Sequence, residues 1–296
     1  MAAAAYSVRK RMDALFISRG LGGRTNRTLK LPWVEDYQVM VGDETIQRFR
    51  TQLDYLDFMR VRSTVTDIEP IDGGFRVTVA DGKAHDTQTL ILATGAAGET
   101  LKVPGEQEYE MHGLCYSAMT YAPLMVDRNV VVVGDQLLAL RGVAELSRIA
   151  TQVTLIAQTR GDLDTPAGEK ILSADNVVLK RQFRVVEIRG DSKYARSIVI
   201  EYEGRHQEIP ADAIFIENQL IPHSELVADL VELDECGFVK VDERNRTSLP
   251  GLYAAGDVTN ALAFQILMGL GDGEKAALSA FDYLLGVGSA GYGCEL

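Results

Sequence analysis

The sequence predicts an α/β fold built on parallel sheets, and three observations support this class. Apolar, strand-like runs alternate with helical segments along most of the chain, which is typical of βαβ units. The run NVVVVG at 129–134 is continuously β-branched, as expected for a strand covered on both faces. The run TLILATG at 89–95 is apolar and ends in a glycine turn, the usual exit from a buried strand.

The elements of the first part follow from local patterns. They are a helix at Ala2–Arg11, a strand at Asp13–Ser18, a helix at Asp43–Tyr55, strands between Val61 and Val79, and a strand at Thr89–Gly95. A Gly-rich turn, RGLGGRTNR, follows the first strand, and Asp-Gly-Gly at 72–74 favours a hairpin turn between the later strands.

A second βαβ unit begins at residue 129. It comprises the strand Asn129–Gly134, the helix Leu137–Ile149 and the strand Gln152–Ala157. Further predicted elements are strands at Asp212–Glu217, Gly237–Asp242 and Leu249–Val258 and a helical region at Ala261–Leu285, interrupted by glycines.

Composition excludes several classes of function. A net charge of −12 argues against nucleic acid as a partner, because the phosphate backbone requires a basic surface. No apolar run approaches the roughly 20 residues needed to span a bilayer, so we expect a cytoplasmic protein without a membrane segment. The cysteines, Cys115, Cys236 and Cys294, are far apart, and the four histidines lack ligand spacing, so neither a disulfide framework nor a metal site is predicted.

Three blocks in a fixed order go beyond fold class. LILATGA at 90–96, VPGEQEYEMHGLCYSAM at 103–119 and TSLPGLYAAGDVTN at 247–260 resemble the low-molecular-weight thioredoxin reductase family of FAD/NAD(P)-binding, pyridine nucleotide-disulfide oxidoreductase-like flavoproteins. The resemblance runs from Ala2 to Leu285. It implies two Rossmann-like domains, a bound FAD and a homodimer. The FAD domain would comprise 1–108 and 229–296, split near Glu108 and Ala228 around an NAD(P)H-type domain at 109–228.

The resemblance also implies a set of flavin-side residues. They are Gly22, Gly23 and Arg24, Asp36, Val65, the turn Ala93, Thr94 and Gly95, the turn Gly256, Asp257 and Val258, and Gln265. Glycines at strand ends allow close approach of a dinucleotide, and a carboxylate at Asp257 is suited to a ribityl or ribose hydroxyl. The alternative for Asp257 is a helix N-cap.

The chain departs from the family at the redox-active cysteines. The redox dithiol Cys-x-x-Cys is replaced by Ser117 and Thr120, whose hydroxyls cannot cycle between redox states. Cys115 is a weak candidate for a lone reactive thiol, since buried packing is the commoner role of such a cysteine. No catalytic residue is therefore assigned.

The NADPH side also departs from the family. In the fingerprint at 134–139, Gln136 replaces the glycine that lets the backbone approach the pyrophosphate, and Asp135 adds a negative charge. The family's phosphate-binding His-Arg-Arg corresponds to Ala157–Thr159, and Gln219 replaces a further glycine. We expect that this domain folds but does not bind NADPH in the family's manner.

The N-terminus lacks the family's first strand and its G-x-G-P-A-G loop, and Ser18 stands where a strand-end Glu would bind the adenosine ribose. Either the sequence is truncated, which we favour, or FAD binding is weakened or altered.

Three functions fit these patterns. The first is an FAD oxidoreductase that exchanges electrons with a partner other than NADPH, such as a small electron-transfer protein. The second is a non-catalytic flavin-binding sensor or interaction protein. The third, and least favoured, is a working NADPH-thioredoxin reductase.

Overall fold

A computed structural model describes residues 1–34, 47, 49, 51 and 59–287. Asp36, Cys294 and most of the helix predicted at Asp43–Tyr55 lie outside these residues. The described residues form two compact units: the first within Met1–Asn26, Val41–Ala97 and Ile221–Leu296, the second within Arg27–Met40 and Gly98–Leu220. The domain joins near Glu108 and Ala228 stay a prediction from the sequence.

The helices of the described part are α1 (Ala2–Arg9), α2 (Glu106–Tyr109), α3 (Ala118–Tyr121), α4 (Leu137–Leu146), α5 (Pro166–Leu172) and α6 (Ile266–Leu284). Within that part, no helix combines the length and apolarity that a bilayer crossing requires. Short 3-10 turns lie at Gly23–Asn26, Ala122–Leu124, Glu225–Val227 and Gly256–Val258.

The strands are numbered in chain order. They are β1 (Phe16–Ile17), β2 (Arg60–Val61), β3 (Val65–Ile71), β4 (Gly74–Val79), β5 (Ala84–Thr87), β6 (Leu90–Leu92), β7 (Ala96–Gly98), β8 (Leu114–Cys115), β9 (Asn129–Val133), β10 (Gln152–Ala157), β11 (Val177–Arg181), β12 (Arg184–Gly190), β13 (Ala195–Tyr202), β14 (Arg205–Pro210), β15 (Ala213–Ile216), β16 (Leu220–Pro222) and β17 (Leu252–Ala254).

The first unit combines parallel strand pairs with an antiparallel meander. β1 pairs with β2 and β6 with β17 in parallel, and β3, β4 and β5 form the meander. Small side chains bring α1 and α6 together: an added Cβ at Gly273 would lie 3.1 Å from the Cβ of Ala2. Apolar residues from β4, β6 and β17, with Val227 and Val239, form the main core.

The second unit is built on one five-stranded parallel sheet in the order β11-β10-β9-β15-β8. Val130 and Val132 of β9 pack into one core cluster, while Val131 and Val133 pack into another. This alternation places apolar layers on both faces of the sheet, which explains the continuous β-branched run. β12, β13 and β14 form a separate antiparallel sheet.

Most predicted elements are confirmed, with corrections at their ends. β9 ends one residue before the predicted limit, and β10 matches its predicted bounds. The first helix ends at Arg9 because Arg11 has a positive φ of 55°. The strand predicted at Gly237–Asp242 is wrong: Val239 makes only isolated bridges, to Leu233 and Thr259.

Candidate functional site

Two predicted turns of the first unit lie side by side because their strands are parallel neighbours. Leu90 of β6 is in register with Leu252 of β17, and the backbone N–H of Ala255 donates to the carbonyl of Leu92 at 2.9 Å. Carboxyl ends of parallel strands meet at one edge of a sheet. The turn 93–95 and the turn 256–258 therefore leave the sheet at the same edge.

The turn at Ala93, Thr94 and Gly95 is fixed by two hydrogen bonds to one residue. The Thr94 hydroxyl donates to the carbonyl of His223 at 2.5 Å, and the His223 N–H donates to the carbonyl of Gly95 at 2.9 Å. Gly95 has a φ of +74°, and an added Cβ there would meet no described atom within 4 Å. No described residue therefore fills the space directly beside Gly95.

Asp257 lies in the 3-10 turn Gly256–Val258, and its carboxylate contacts Arg24 at 3.3 Å. Burial raises the pKa of Asp257; Arg24 acts against this shift, and Asp272 adds to it. The helix that follows, α6, has Gln265 as its N-cap residue, so the helix-cap alternative for Asp257 is wrong. A half-buried carboxylate paired with one arginine is suited to accept further hydrogen bonds from hydroxyl groups.

Gly256 allows this turn to approach α6 closely. Its φ is +74°, and an added Cβ would lie 3.7 Å from the Cα of Gly269 in the first turn of the helix. Val258 is fully buried in the core of this unit. Gln265 is extended and its side chain makes no cap hydrogen bond. The Phe264 ring stacks on Phe238, with centroids 5.4 Å apart.

The remaining flavin-side predictions lie on other elements of the same unit. Gly22 and Gly23 have positive φ values of 92° and 52° in the turn that carries Arg24 toward Asp257. Val65 begins β3, pairs with Val79 and packs against the core.

Ser18 follows β1, and its buried hydroxyl has no hydrogen-bond partner among the described residues. By the resemblance, Ser18 stands where a strand-end Glu would bind the adenosine ribose.

The predicted dithiol positions in the second unit hold two hydroxyls in contact. Ser117 Oγ and Thr120 Oγ1 are 2.7 Å apart. Cys115 is 1% exposed, and burial raises the pKa of its thiol. The buried carboxylate of Glu217 accepts a hydrogen bond from the N–H of Ala118, the first residue of α3.

The strand-to-helix turn after β9 is crowded. An added Cβ at Gly134 would lie 2.4 Å from the carbonyl oxygen of Glu217 and 2.8 Å from the Cβ of Ala139. Asp135 Oδ2 accepts from the N–H of Thr159 at 2.9 Å and from its hydroxyl at 2.7 Å. Asp162 Oδ2 accepts from the N–H of Leu137 at 2.7 Å. Sequence reasoning missed Asp162, although a carboxylate in the Gly-Asp-Leu-Asp-Thr stretch is a turn signal.

Comparison with known proteins identifies the family. Residues 13–276 match the family model described as pyridine nucleotide-disulphide oxidoreductase. The chain belongs to this family. Its fold is the thioredoxin reductase-like arrangement of two Rossmann-like domains, as the sequence predicted.

Individual relatives agree with this membership. The F subunit of alkyl hydroperoxide reductase from Staphylococcus aureus strain MRSA252 is 30% identical over 289 residues, which cover 96% of this chain and 56% of that protein. The chain thus spans about half the length of the curated relatives it matches. The thioredoxin reductase of Streptococcus pyogenes superposes with a TM-score of 0.84 at 27% identity, covering 96% of this chain and 94% of that one. The thioredoxin reductase of Lactococcus lactis superposes with a TM-score of 0.63 at 28% identity, covering 96% of this chain and 95% of that one.

Proposed function

We propose that this protein is an FAD-dependent oxidoreductase that works without a redox dithiol and takes its electrons from a partner other than NADPH. The observation that carries the proposal is a contrast between one sheet edge in the first unit and one turn in the second. The edge formed by β6 and β17 offers open space and a lightly paired carboxylate, whereas the turn after β9 is occupied by the chain's own carboxylates.

The residues of the first unit fit a flavin. Gly95 leaves room beside the turn 93–95, and Asp257 presents a half-buried carboxylate. The orphaned hydroxyl of Ser18 is a buried donor that a ligand oxygen would satisfy. Gly22, Gly23, Arg24, Val65 and Gln265 would complete the site. FAD, when bound, supplies electron transfer that side chains cannot perform.

The absence of a dithiol is the second part of the proposal. Ser117 and Thr120 take the two positions, and their hydroxyls hydrogen-bond to each other at 2.7 Å. Cys115 is buried and its raised thiol pKa keeps it protonated near neutral pH, so it supplies no thiolate. We therefore assign no catalytic residue to this segment.

The turn after β9 supports an electron donor other than NADPH. Gln136 and the carboxylates of Asp135 and Asp162 stand where a dinucleotide would need glycine backbone and positive potential. A small electron-transfer protein would suit a flavin that lacks a nicotinamide donor. By the resemblance to its family, the protein would act as a homodimer.

An absorbance spectrum of the purified protein tests the proposal. We expect flavin bands that are unchanged by NADPH under anaerobic conditions and are bleached by dithionite. The dithionite control establishes that the flavin is reducible. Absence of flavin, with none taken up on incubation with FAD, would refute the proposal, as would rapid bleaching by NADPH.

A non-catalytic flavin-binding protein is the second candidate, and the filled turn after β9 together with the buried Cys115 favours it. Reduced flavodoxin and ferredoxin, mixed with the flavin-loaded protein, separate the two. Bleaching by either donor supports the oxidoreductase.

A further inference from the structure

At the N-terminus of the helix that follows β9, α4, a side-chain carboxylate of the same chain accepts a backbone hydrogen bond. Gln136 is the N-cap residue of α4, and its side chain makes no cap hydrogen bond. Instead, Asp162 Oδ2 accepts the N–H of Leu137, the first residue of the helix, at 2.7 Å. We propose that the Asp162 carboxylate occupies the phosphate position of this turn and thereby determines that the domain rejects dinucleotides, an inference that rests on the proposed function.

The physical basis is competition for the same backbone donors. The first N–H groups of a helix lack partners within the helix and carry partial positive charge, so one anion is bound there favourably. In dinucleotide-binding folds that anion is the pyrophosphate. With Asp162 in place, an incoming phosphate would lose the Leu137 donor and meet a like charge at hydrogen-bonding distance.

Asp135 holds the segment that carries Asp162 through hydrogen bonds. Asp135 receives the N–H and hydroxyl of Thr159 on its side chain, and its carbonyl receives the N–H of Asp162 at 2.8 Å. Gly161 has a φ of +46°, and an added Cβ would lie 1.9 Å from the Asp135 carbonyl oxygen. The chain therefore wraps closely around Asp135, with Asp162 directed at the helix.

The other side of the segment is anchored in the core and in α5. Leu163 is fully buried. Thr165 is the N-cap of α5 and accepts the N–H of Gly168 at 3.1 Å, and an added Cβ at Gly168 would lie 2.5 Å from the Asp162 carbonyl oxygen. Asp162 is thus held by the backbone on both sides, unlike a charged side chain on a free surface loop.

The test is a titration of the full chain with inorganic pyrophosphate, read as the rise in Tm. Wild type should show weak binding or none. Asp162→Ala frees the Leu137 donor and removes one charge. Its pyrophosphate affinity should therefore exceed that of wild type by about tenfold or more, which is the usual contribution of one charge-assisted hydrogen bond.

Two further variants make the result decisive. Asp164→Ala removes the same charge two residues away, where Asp164 pairs with Arg181 at 2.8 Å, and should leave pyrophosphate binding at the wild-type level. Asp162→Asn keeps an acceptor for Leu137, so it should fold even if the alanine variant does not, and should show a smaller gain.

Equal pyrophosphate affinity in wild type, Asp162→Asn, Asp164→Ala and any folded Asp162→Ala would overturn the inference. The titration involves no flavin reduction. Bleaching of the wild-type flavin by NADPH would instead remove the proposed function on which the inference rests, so the two failures are told apart.

Discussion

Strand-end turns of the two units differ in what surrounds them: those after β6 and β17 in the first unit, and the one after β9 in the second. After β6, an added Cβ at Gly95 would meet no described atom within 4 Å, and after β17, Asp257 pairs with Arg24. After β9, Gly134 meets backbone at once, and Asp135 and Asp162 are bound by backbone N–H groups. A strand-end turn can thus be left available to a ligand or closed by carboxylates of the chain itself.

The comparison shows that residues distant in sequence determine whether the polar groups of such a turn are already hydrogen-bonded or paired. Asp162 follows Leu137 by 25 positions, yet its carboxylate satisfies the helix N-terminus. Arg24 precedes Asp257 by 233 positions, and its contact only partly offsets the burial of that carboxylate. A glycine fingerprint alone therefore does not distinguish an open turn from a closed one.

The largest effect is expected from alanine at the two glycines. Gly134→Ala would drive a Cβ into the Glu217 carbonyl and should lower the free energy of unfolding by about 3 kcal/mol. Gly95→Ala adds only positive-φ strain in open space, about 1 kcal/mol. Urea unfolding of both variants measures the difference. Equal losses would mean that the turn after β9 is not tighter than the turn after β6.

A smaller effect is expected on flavin retention. Asp257→Asn removes the carboxylate proposed to accept a flavin hydroxyl, and the dissociation constant should rise about tenfold, the value of one hydrogen bond to a charged group. The flavin-to-protein absorbance ratio after gel filtration reports the loss. Asp242→Asn is the matched control, since Asp242 pairs with Arg246 at 2.6 Å in the same unit. A normal ratio in Asp257→Asn would remove this residue from the proposed site.

The smallest effect is a pH dependence of opposite sign in the two units. Burial raises the pKa of Asp257, so its protonated form favours the folded state and its contribution to stability falls as pH rises through the folded pKa. Backbone donation from Tyr194, with Arg196 and the Lys193 N–H, lowers the pKa of Asp191 from 3.8 to about 2. Its contribution is present above 3.8 and is lost as pH falls toward 2.

The measurement is the Tm of wild type, Asp257→Asn and Asp191→Asn between pH 3 and pH 7. The Tm of wild type relative to Asp191→Asn should increase with pH. Relative to Asp257→Asn it should decrease with pH. Slopes of the same sign would contradict the assignment of opposite shifts.

The elements that the sequence predicted well are those with continuous burial. β9 and β10 are buried on both faces, so their apolar runs reach almost from end to end. Gly237–Asp242 is also rich in apolar residues but lacks a partner strand among the described residues, where Val239 makes only isolated bridges. Pairing partners depend on the whole chain, which a local pattern does not contain.

The turns of the candidate site were predictable where backbone conformation determines residue type. Gly22, Gly95 and Gly256 have positive φ values, as turn glycines do, and their place beside a flavin stays a prediction. The stretch around Asp162 signals a turn, but its contact with the helix N-terminus was not predictable, because that contact arises from the close backbone packing around Asp135. The helix cap considered for Asp257 failed because α6 begins further along the chain, with Gln265 as its cap.

The burial of Leu163 ties its loop to the core of the unit. Its side chain is part of the core, and the neighbouring Gly168 fits only because the backbone of the loop lies against it. Deletion of the whole loop would expose this core, at a cost of about 2 kcal/mol or more for the lost leucine burial. The loop that carries Asp162 is therefore part of the unit's core, and removing it would lower the stability of the fold.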